Sequence, residues 1–129
     1  MLADPYVKVN MMQQDQRLLK WKTTVKKNTL MAVFYESTHF DVSAVDFRRI
    51  HFDVLIMDHD RVRRNSILGL VRLGYDVGHT SGEKQWQQAF NSPNQMFSTW
   101  HCIRPRKMCS PAHSRSKSPA SCFSVGYQI

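Results

Sequence analysis

Hydrophobic and polar positions alternate with a period of two over most of the first hundred residues, a pattern typical of half-buried β-strands. In YVKVNMM, at residues 6–12, the valines and the first methionine fall on one face, and Tyr6, Lys8 and Asn10 fall on the other. The same alternation predicts further strands in LKWKTTVKK, HFDV, HFDVLIM, SILGLVRL and FSTWHCI, at residues 19–27, 39–42, 51–57, 66–73 and 97–103.

One segment between the last two of these strands has helical spacing instead. Thr80 and Glu83 have the spacing of a capping box, and Trp86 and Phe90 follow at helical intervals before Asn-Ser-Pro at 91–93 ends the run. Many short strands with one helical insert predict an antiparallel all-β sandwich with a short helix before its last strand. Trp86 and Trp100 are expected to fill the core or the space between helix and sheet; the alternative is that Thr-Trp-His at 99–101 docks a partner.

The composition indicates one folded domain followed by a basic tail. A chain of 129 residues with 42% hydrophobic residues can bury a single core. From residue 104 onward Arg, Lys, Ser and Pro predominate, as in SRSKSPAS, and such a segment buries too little apolar area to offset the entropy of ordering. We therefore predict a folded domain over residues 1–103 and a disordered, Ser/Pro-rich basic tail over 104–129.

Charge and cysteine content narrow the functional classes. The formal net charge of +8 favours polyanionic partners, although the tail contributes much of it, because no acidic residue follows Glu83. Cys102, Cys109 and Cys122 are odd in number and lack a C-x-x-C spacing, which favours reduced thiols over a disulfide framework or a zinc site. The first apolar run stops at Lys8, so we expect neither a signal peptide nor a membrane span, and a cytoplasmic protein.

Seven motifs in a fixed order resemble the second C2 domain of synaptotagmins. They are DPYVKV at 4–9, KWKTTVKKNTL at 20–30, YES at 35–37, MDHD at 57–60, ILG at 67–69, the tryptophan of KQWQQAF, and TWH at 99–101. The resemblance implies an antiparallel Greek-key C2 β-sandwich of eight strands, whose loops at one end hold calcium and meet acidic membranes. The chain begins almost at DPYVKV, so the resemblance also implies that the first two strands are lacking.

The resemblance implies a calcium site that is incomplete here. In the family five aspartates hold calcium, and only Asp4, Asp58 and Asp60 match them; the position of the last ligand is Ser66, and the earliest would precede Met1. The same loop adds three positive side chains, Arg61, Arg63 and Arg64. Calcium requires six to eight oxygen ligands, and positive neighbours oppose its binding. We therefore predict a vestigial site without physiological calcium affinity and expect no other cofactor.

Three interpretations of this loop are kept open. The arginines could attract phosphatidylserine or phosphoinositides without calcium, as positive charge near an anionic surface does. Asp58 and Asp60 could instead be ordinary turn acids that the neighbouring arginines neutralise. Alternatively, backbone carbonyls and lipid phosphates could complete a calcium site around Asp4, Asp58 and Asp60, which would make phospholipid binding calcium-dependent.

A basic strand is the second candidate site. In the family the corresponding run of lysines binds phosphoinositides, SNARE proteins and the clathrin adaptor. The residues that keep this charge are Arg17, Lys20, Lys22, Lys26 and Lys27, whereas Leu19 and Trp21 stand where the family usually has lysine. Alternation puts three of these lysines on one face, and Lys8 is expected to join them from the preceding strand. The alternative is an ordinary solvated face of a strand, with Trp21 either in the core or at a membrane interface.

No histidine, cysteine or serine is spaced as a nucleophile with its base, so we predict a noncatalytic protein. The leading interpretation is a calcium-independent phospholipid- and SNARE-binding module of vesicle trafficking and exocytosis, peripheral on a vesicle or the plasma membrane. Self-association through the open sheet is a further option. The alternatives are a basic RNA-associated protein using SRSKSPAS, although nucleic acid is not the expected partner, and a nonfunctional splice fragment.

Overall fold

A computed structural model describes residues 2–43 and 46–105 and the backbone of 122–128. Its elements follow the chain in the order β1 (Pro5–Gln13), β2 (Gln16–Lys22), β3 (Ile50–Asp58), β4 (Ser66–Gly74), α1 (Thr80–Asn91), β5 (Met96–Cys102) and β6 (Cys122–Gln128). Four strands form an antiparallel sheet in the order β2-β1-β3-β4, and β5 and β6 form a second antiparallel pair. The predicted mostly-β fold with one helix between late strands is confirmed.

The core lies on one face of the four-stranded sheet, beneath α1. Alternate residues of β1, β3 and β4 point into it, because successive side chains of a strand face opposite ways. The buried residues of the cluster are Val9, Met11, Phe47, Ile50, Phe52, Val54, Val71, Leu73, Trp86 and Ala89. Trp86 stacks on Phe47 with 4.3 Å between ring centroids, and its indole N–H donates to the Phe47 carbonyl at 3.0 Å. These contacts attach the helix to the turn that precedes β3.

Helix α1 begins where the sequence predicts, but its first turn uses other contacts. His79, not Thr80, is the N-cap residue, and it makes no side-chain capping bond. The Glu83 carboxylate accepts from the Gly78 N–H at 3.2 Å instead of completing a capping box. Gly82 lies against β4 so closely that a Cβ there would stand 1.8 Å from the Arg72 carbonyl oxygen. The absence of a side chain at this position therefore permits the close approach of helix and sheet.

Strand β2 is shorter than its alternating pattern predicts. The ladder with β1 ends at the pair Lys8–Lys22. At the next residue the Thr23 hydroxyl accepts the Val7 N–H at 2.9 Å. In a continued ladder this N–H would donate to a backbone carbonyl of β2. Residues 23–27 continue beside β1 through isolated bonds, including Lys26 N–H to the Pro5 carbonyl at 2.9 Å.

The predicted strand at residues 39–42 is not formed in the described part of the chain. Its apolar residues still turn inward, and Phe40 lies 5.0 Å from Phe52 between ring centroids. Alternation thus predicted the buried face correctly, but no described strand pairs with this segment. Glu36 holds the preceding chain, because its carboxylate accepts from the Thr24 hydroxyl at 2.8 Å.

The structure describes only the two ends of the predicted tail. Arg104 forms a bridge with Leu70 and donates to the Gly78 carbonyl at 2.7 Å, while Cys122–Gln128 pair with β5 as β6. Residues 106–121 lie outside the described part of the chain, and so does all of SRSKSPAS, at 114–121, with its RNA-binding alternative. The division at residue 103 stays a prediction.

Candidate functional site

Strands β1 and β2 bring four cationic residues to the sheet face that points away from the core. Lys8 pairs with Lys22, Asn10 with Lys20, and Met12 with Arg17, and directly opposite residues of antiparallel strands share a face. Lys8 is partly buried, whereas Arg17, Lys20 and Lys22 are exposed. We call Lys8, Arg17, Lys20 and Lys22 the basic sheet face. The predicted approach of Lys8 to the lysines of the next strand is thus observed.

Charge repulsion within this face is evident at Lys8. Burial lowers the pKa of Lys8 below its ordinary value, and the positive charges of Arg17, Lys22 and Lys20 lower it further. A bound anion would relieve this repulsion, because an opposite charge favours the protonated amine. The face is therefore arranged to gain free energy from polyanionic ligands.

The other half of the same sheet face is nearly neutral. Asp53 on β3 accepts from Arg72 Nε at 3.0 Å and lies 3.4 Å from His51 Nε2. Burial by itself raises the pKa of Asp53, but hydrogen bonding from His51 and the charge of Arg72 outweigh it, so the pKa falls below its usual value. Because this carboxylate already has Arg72 as a cationic partner, the basic half remains available to an external anion.

The remaining residues of the basic strand are placed differently. Lys26 and Lys27 lie beyond the end of β2, where strand alternation no longer assigns them to the basic sheet face. Trp21 packs against the core, which favours the first of its two predicted roles. Leu19 is exposed, although strand alternation places it on the same face as Trp21. It lies next to a bulge, because Met11 pairs with Leu19 whereas the following residue, Met12, pairs with Arg17.

A second cationic surface lies on the loop between β3 and β4. Arg61, Val62, Arg63 and Arg64 are all exposed, and we call these four residues the arginine loop. Asp60 supports it, because its Oδ1 accepts the N–H groups of Val62 at 2.9 Å and Arg63 at 3.0 Å. These bonds, Arg63 first, lower the pKa of Asp60. Asn65 completes the support by accepting the Asp60 N–H at 2.8 Å and donating to the Tyr6 hydroxyl at 3.0 Å.

The three aspartates that match calcium ligands act as hydrogen-bond acceptors for the backbone. Asp58 Oδ1 accepts the Asp4 N–H at 2.9 Å, and Asp4 Oδ1 accepts the Asn28 N–H at 2.7 Å. Together with Asp60 they offer few of the six to eight oxygens that calcium requires, beside three arginines. Among the residues that the structure describes, no group of three or more His, Cys, Asp or Glu side chains could hold a metal. This donor set does not fit a calcium site.

Exposed apolar side chains lie within the arginine loop and at the same end of the sheet, a feature that was not predicted. Val62, between two arginines, is 92% exposed, and Met31 is 89% exposed. Ala3 bridges to Thr29, and the Asp4 carbonyl accepts the His59 N–H, so both segments lie at one end of the sheet. The exposure of Val62 could have been predicted from the sequence, because Val62 is a lone apolar residue within a charged loop. This end of the molecule is both basic and apolar.

The late aromatic motif is oriented opposite to expectation. Trp86 is buried as predicted, but Trp100 is 68% exposed, whereas its neighbour His101 is 1% exposed. His101 bonds Ser81 Oγ through Nδ1 at 2.7 Å and Gln85 Oε1 through Nε2 at 2.6 Å. Burial lowers the pKa of His101. His101 therefore occupies the inward-facing position of β5, because α1 supplies polar partners for its ring.

Comparison with known proteins agrees with these features. The C2 domain family matches residues 1–89. The chain is 36% identical to synaptotagmin-A of Diplobatis ommata over 107 residues, which cover 82% of this chain and 25% of that protein. It is 37% identical to synaptotagmin-6 of Rattus norvegicus over 101 residues, covering 78% and 20%, and 33% identical to synaptotagmin-5 of the same species over 110 residues, covering 85% and 28%.

The chain spans about a quarter of the length of the curated relatives it matches. Within the described residues, no helix is long and apolar enough to cross a bilayer. The four-stranded antiparallel sheet, helix α1 and the family match agree with one another. The protein therefore belongs to the C2 domain family and is of the synaptotagmin type.

Proposed function

We propose that this chain is a noncatalytic phospholipid-binding module that acts peripherally at cytoplasmic membrane surfaces in vesicle trafficking and exocytosis. The observation that carries the proposal is the basic sheet face, where four cationic side chains lie together and where burial, followed by the charges of the other three, lowers the pKa of Lys8. Phosphatidylserine and phosphoinositide headgroups supply the negative charge that this face lacks. Each basic residue near such a surface contributes about 1 kcal/mol of binding free energy.

The arginine loop provides a second contact with the same membrane. Its three arginines would contribute about 3 kcal/mol together, which corresponds to roughly 100-fold in affinity. Val62 and Met31 are exposed at the same end of the sheet and would enter the boundary between headgroups and acyl chains. We propose that this contact is independent of calcium, because arginines stand where a metal would otherwise supply positive charge.

Co-sedimentation with vesicles tests both statements. We expect the full chain to bind vesicles of phosphatidylserine and phosphoinositide equally in calcium and in chelator, and less at moderate salt than at low salt. Binding that requires calcium would overturn calcium independence and favour the alternative of a site completed by backbone and lipid oxygens. Replacing Arg61, Arg63 and Arg64 with Ala should weaken binding severely, and unchanged binding would exclude the loop.

A matched pair of double variants tests the face itself. Lys20→Ala with Lys22→Ala removes two charges from the basic sheet face and should weaken vesicle binding by roughly tenfold or more. Lys26→Ala with Lys27→Ala removes the same charge beyond the end of β2 and should have a smaller effect. Equal losses would show that net charge, not the basic sheet face, determines binding.

Acidic protein surfaces present the same chemistry, so we extend the proposal to SNARE proteins and the clathrin adaptor as partners of the basic sheet face. These partners should compete with anionic vesicles for Lys20 and Lys22. If a SNARE complex binds the chain while vesicles are also bound, the SNARE complex uses a surface other than the basic sheet face. Self-association is a separate proposal, which sedimentation of the purified chain tests.

A further inference from the structure

The arginine loop is followed by a serine that has the sequence context of a kinase substrate. Residues 63–66 read Arg-Arg-Asn-Ser, so arginines stand two and three positions before Ser66. Kinases with an acidic substrate groove select serines by arginines at these positions, because guanidinium groups form strong hydrogen bonds with carboxylates. Between Ser43 and Tyr75, Ser66 is the only Ser, Thr or Tyr. The motif therefore indicates a single acceptor hydroxyl.

Both the hydroxyl and the two arginines of this motif are accessible. Ser66, Arg63 and Arg64 are exposed. Ser66 is the first residue of β4, which lies at one edge of the four-stranded sheet. A bulge separates the last two residue pairs of the β3–β4 ladder, including Ser66 with Asp58, from the rest of that ladder. Local opening at this end breaks few backbone hydrogen bonds, so a kinase can extend the segment without unfolding the core.

We propose that Ser66 is a phosphorylation site for a serine kinase with an acidic substrate groove, and that the phosphate releases the arginine loop from anionic membranes. The Ser66 oxygen attacks the γ-phosphorus of ATP, the bond between that phosphorus and the bridging oxygen of the β-phosphate breaks, and ADP leaves. The hydroxyl proton passes to the catalytic aspartate of the kinase. The release rests on the proposed membrane function, whereas the modification itself does not.

The phosphate would nearly cancel the charge of the arginine loop. Phosphoserine carries about −1.5 to −2 charges at neutral pH, against three positive charges on Arg61, Arg63 and Arg64. Asp58 is the register partner of Ser66 and would repel the phosphate, because like charges directly opposite in a ladder are unfavourable. The arginines that precede Ser66 would attract it through charge-assisted hydrogen bonds. An internal anion would then occupy the arginines in place of a lipid headgroup.

Phosphopeptide mapping of the full chain tests the modification. The folded protein is incubated with Mg-ATP and the catalytic subunit of cAMP-dependent protein kinase, which prefers arginines at these two positions, and is then digested with trypsin. The tryptic peptide of residues 65–72 contains Ser66 and no other hydroxyl residue, so its mass alone assigns the phosphate. We expect one phosphate on this peptide. An unmodified peptide after prolonged incubation would overturn the proposal.

Two double variants separate recognition of the motif from general basicity. Arg63→Ala with Arg64→Ala should slow phosphorylation of Ser66 by on the order of tenfold or more, because hydrogen bonds to the charged groove are lost. Arg48→Ala with Arg49→Ala is the matched control, since it removes another exposed pair of adjacent arginines that no serine follows closely. This control should leave the rate unchanged. Equal rates in the two variants would contradict recognition through the motif.

Vesicle binding tests the release. Phosphorylation cancels about two positive charges, so the affinity for phosphatidylserine vesicles at low salt should fall roughly 30-fold. Ser66→Ala, treated with the same kinase, should keep the affinity of the untreated chain. Unchanged binding of the phosphorylated chain would overturn the release. If the untreated chain does not bind vesicles, the proposed membrane function fails and the release fails with it, whereas the peptide map still decides whether Ser66 is a phosphorylation site.

Discussion

Acidification from about pH 7.5 to pH 5 is expected to destabilise the protein through His79, at the start of α1. This histidine is 4% exposed, and its Nδ1 accepts the backbone N–H of Arg72 at 3.1 Å. Protonation of Nδ1 would remove that acceptor and place two N–H groups against each other. Burial, followed by the positive charges of Arg104 and Arg72, lowers the pKa of His79 from 6.5 to about 4; Asp53 opposes this lowering, and His101 adds to it.

The size and sign of the effect follow from proton linkage. The unfolded chain binds a proton at His79 below its ordinary pKa of 6.5, whereas the folded chain does so only near its lowered pKa of about 4. Stability is therefore complete above 6.5 and falls as the pH decreases towards 4. At pH 5 the loss from this group is about 2 kcal/mol, and at most about 3.4 kcal/mol is lost below pH 4. Because the pKa of His101 is also lowered, this histidine adds a loss of the same sign.

Urea unfolding at the two pH values measures this loss. His79→Asn keeps a side-chain acceptor at the N-cap but cannot titrate in this range, so its stability should fall by about 2 kcal/mol less than that of the wild type. His39→Asn is the matched control, because His39 is exposed. Its pH dependence should equal that of the wild type. If His79→Asn also loses as much stability as the wild type, the inference that neutral His79 anchors the helix is wrong.

Three further predictions concern packing and charge. Gly82→Ala should cost about 1–3 kcal/mol in urea unfolding, because its Cβ would meet the Arg72 carbonyl; a neutral effect would contradict the close approach of α1 to β4. Trp86→Phe should cost about 2–4 kcal/mol, since it removes ring contacts and leaves the Phe47 carbonyl without its donor; a loss below roughly 0.5 kcal/mol would contradict this role. Lys8→Gln should raise the unfolding midpoint at low salt yet weaken vesicle binding, and changes in the same direction would contradict mutual repulsion on the basic sheet face.

Sequence periodicity predicted the elements that are amphipathic and have nearby partners. Strands β1, β3, β4 and β5 and helix α1 lie close to their predicted positions, because one face of each meets the same core. One failure arose where pairing depends on distant residues. Residues 39–42 have the alternation of a strand, but no described strand pairs with them. Residues 122–128 also alternate, as Phe, Val and Tyr separated by small or polar residues, but the basic composition before them favoured a disordered tail.

Side-chain chemistry explains the error at Trp100. A large aromatic residue was expected inside, yet the regular alternation along β5 places His101 on the inward face and Trp100 on the outward face. The reason is that Ser81 and Gln85 on α1 offer hydrogen bonds to both ring nitrogens. A buried histidine without such partners would be costly, and the helix register that provides them cannot be derived from the strand pattern alone.

The candidate site was predicted to a different extent in its two parts. The approach of Lys8 to Lys20 and Lys22 follows from strand alternation and short-range pairing, so the sequence sufficed. The arginine loop required geometry, because only the structure shows that Asp60 accepts two N–H groups of that loop and that Asn65 connects it to Tyr6. These bonds order the loop before any ligand arrives, so membrane binding need not supply that conformational entropy. In this loop an aspartate that resembles a calcium ligand serves to hold the backbone, and the arginines that follow it carry the positive charge.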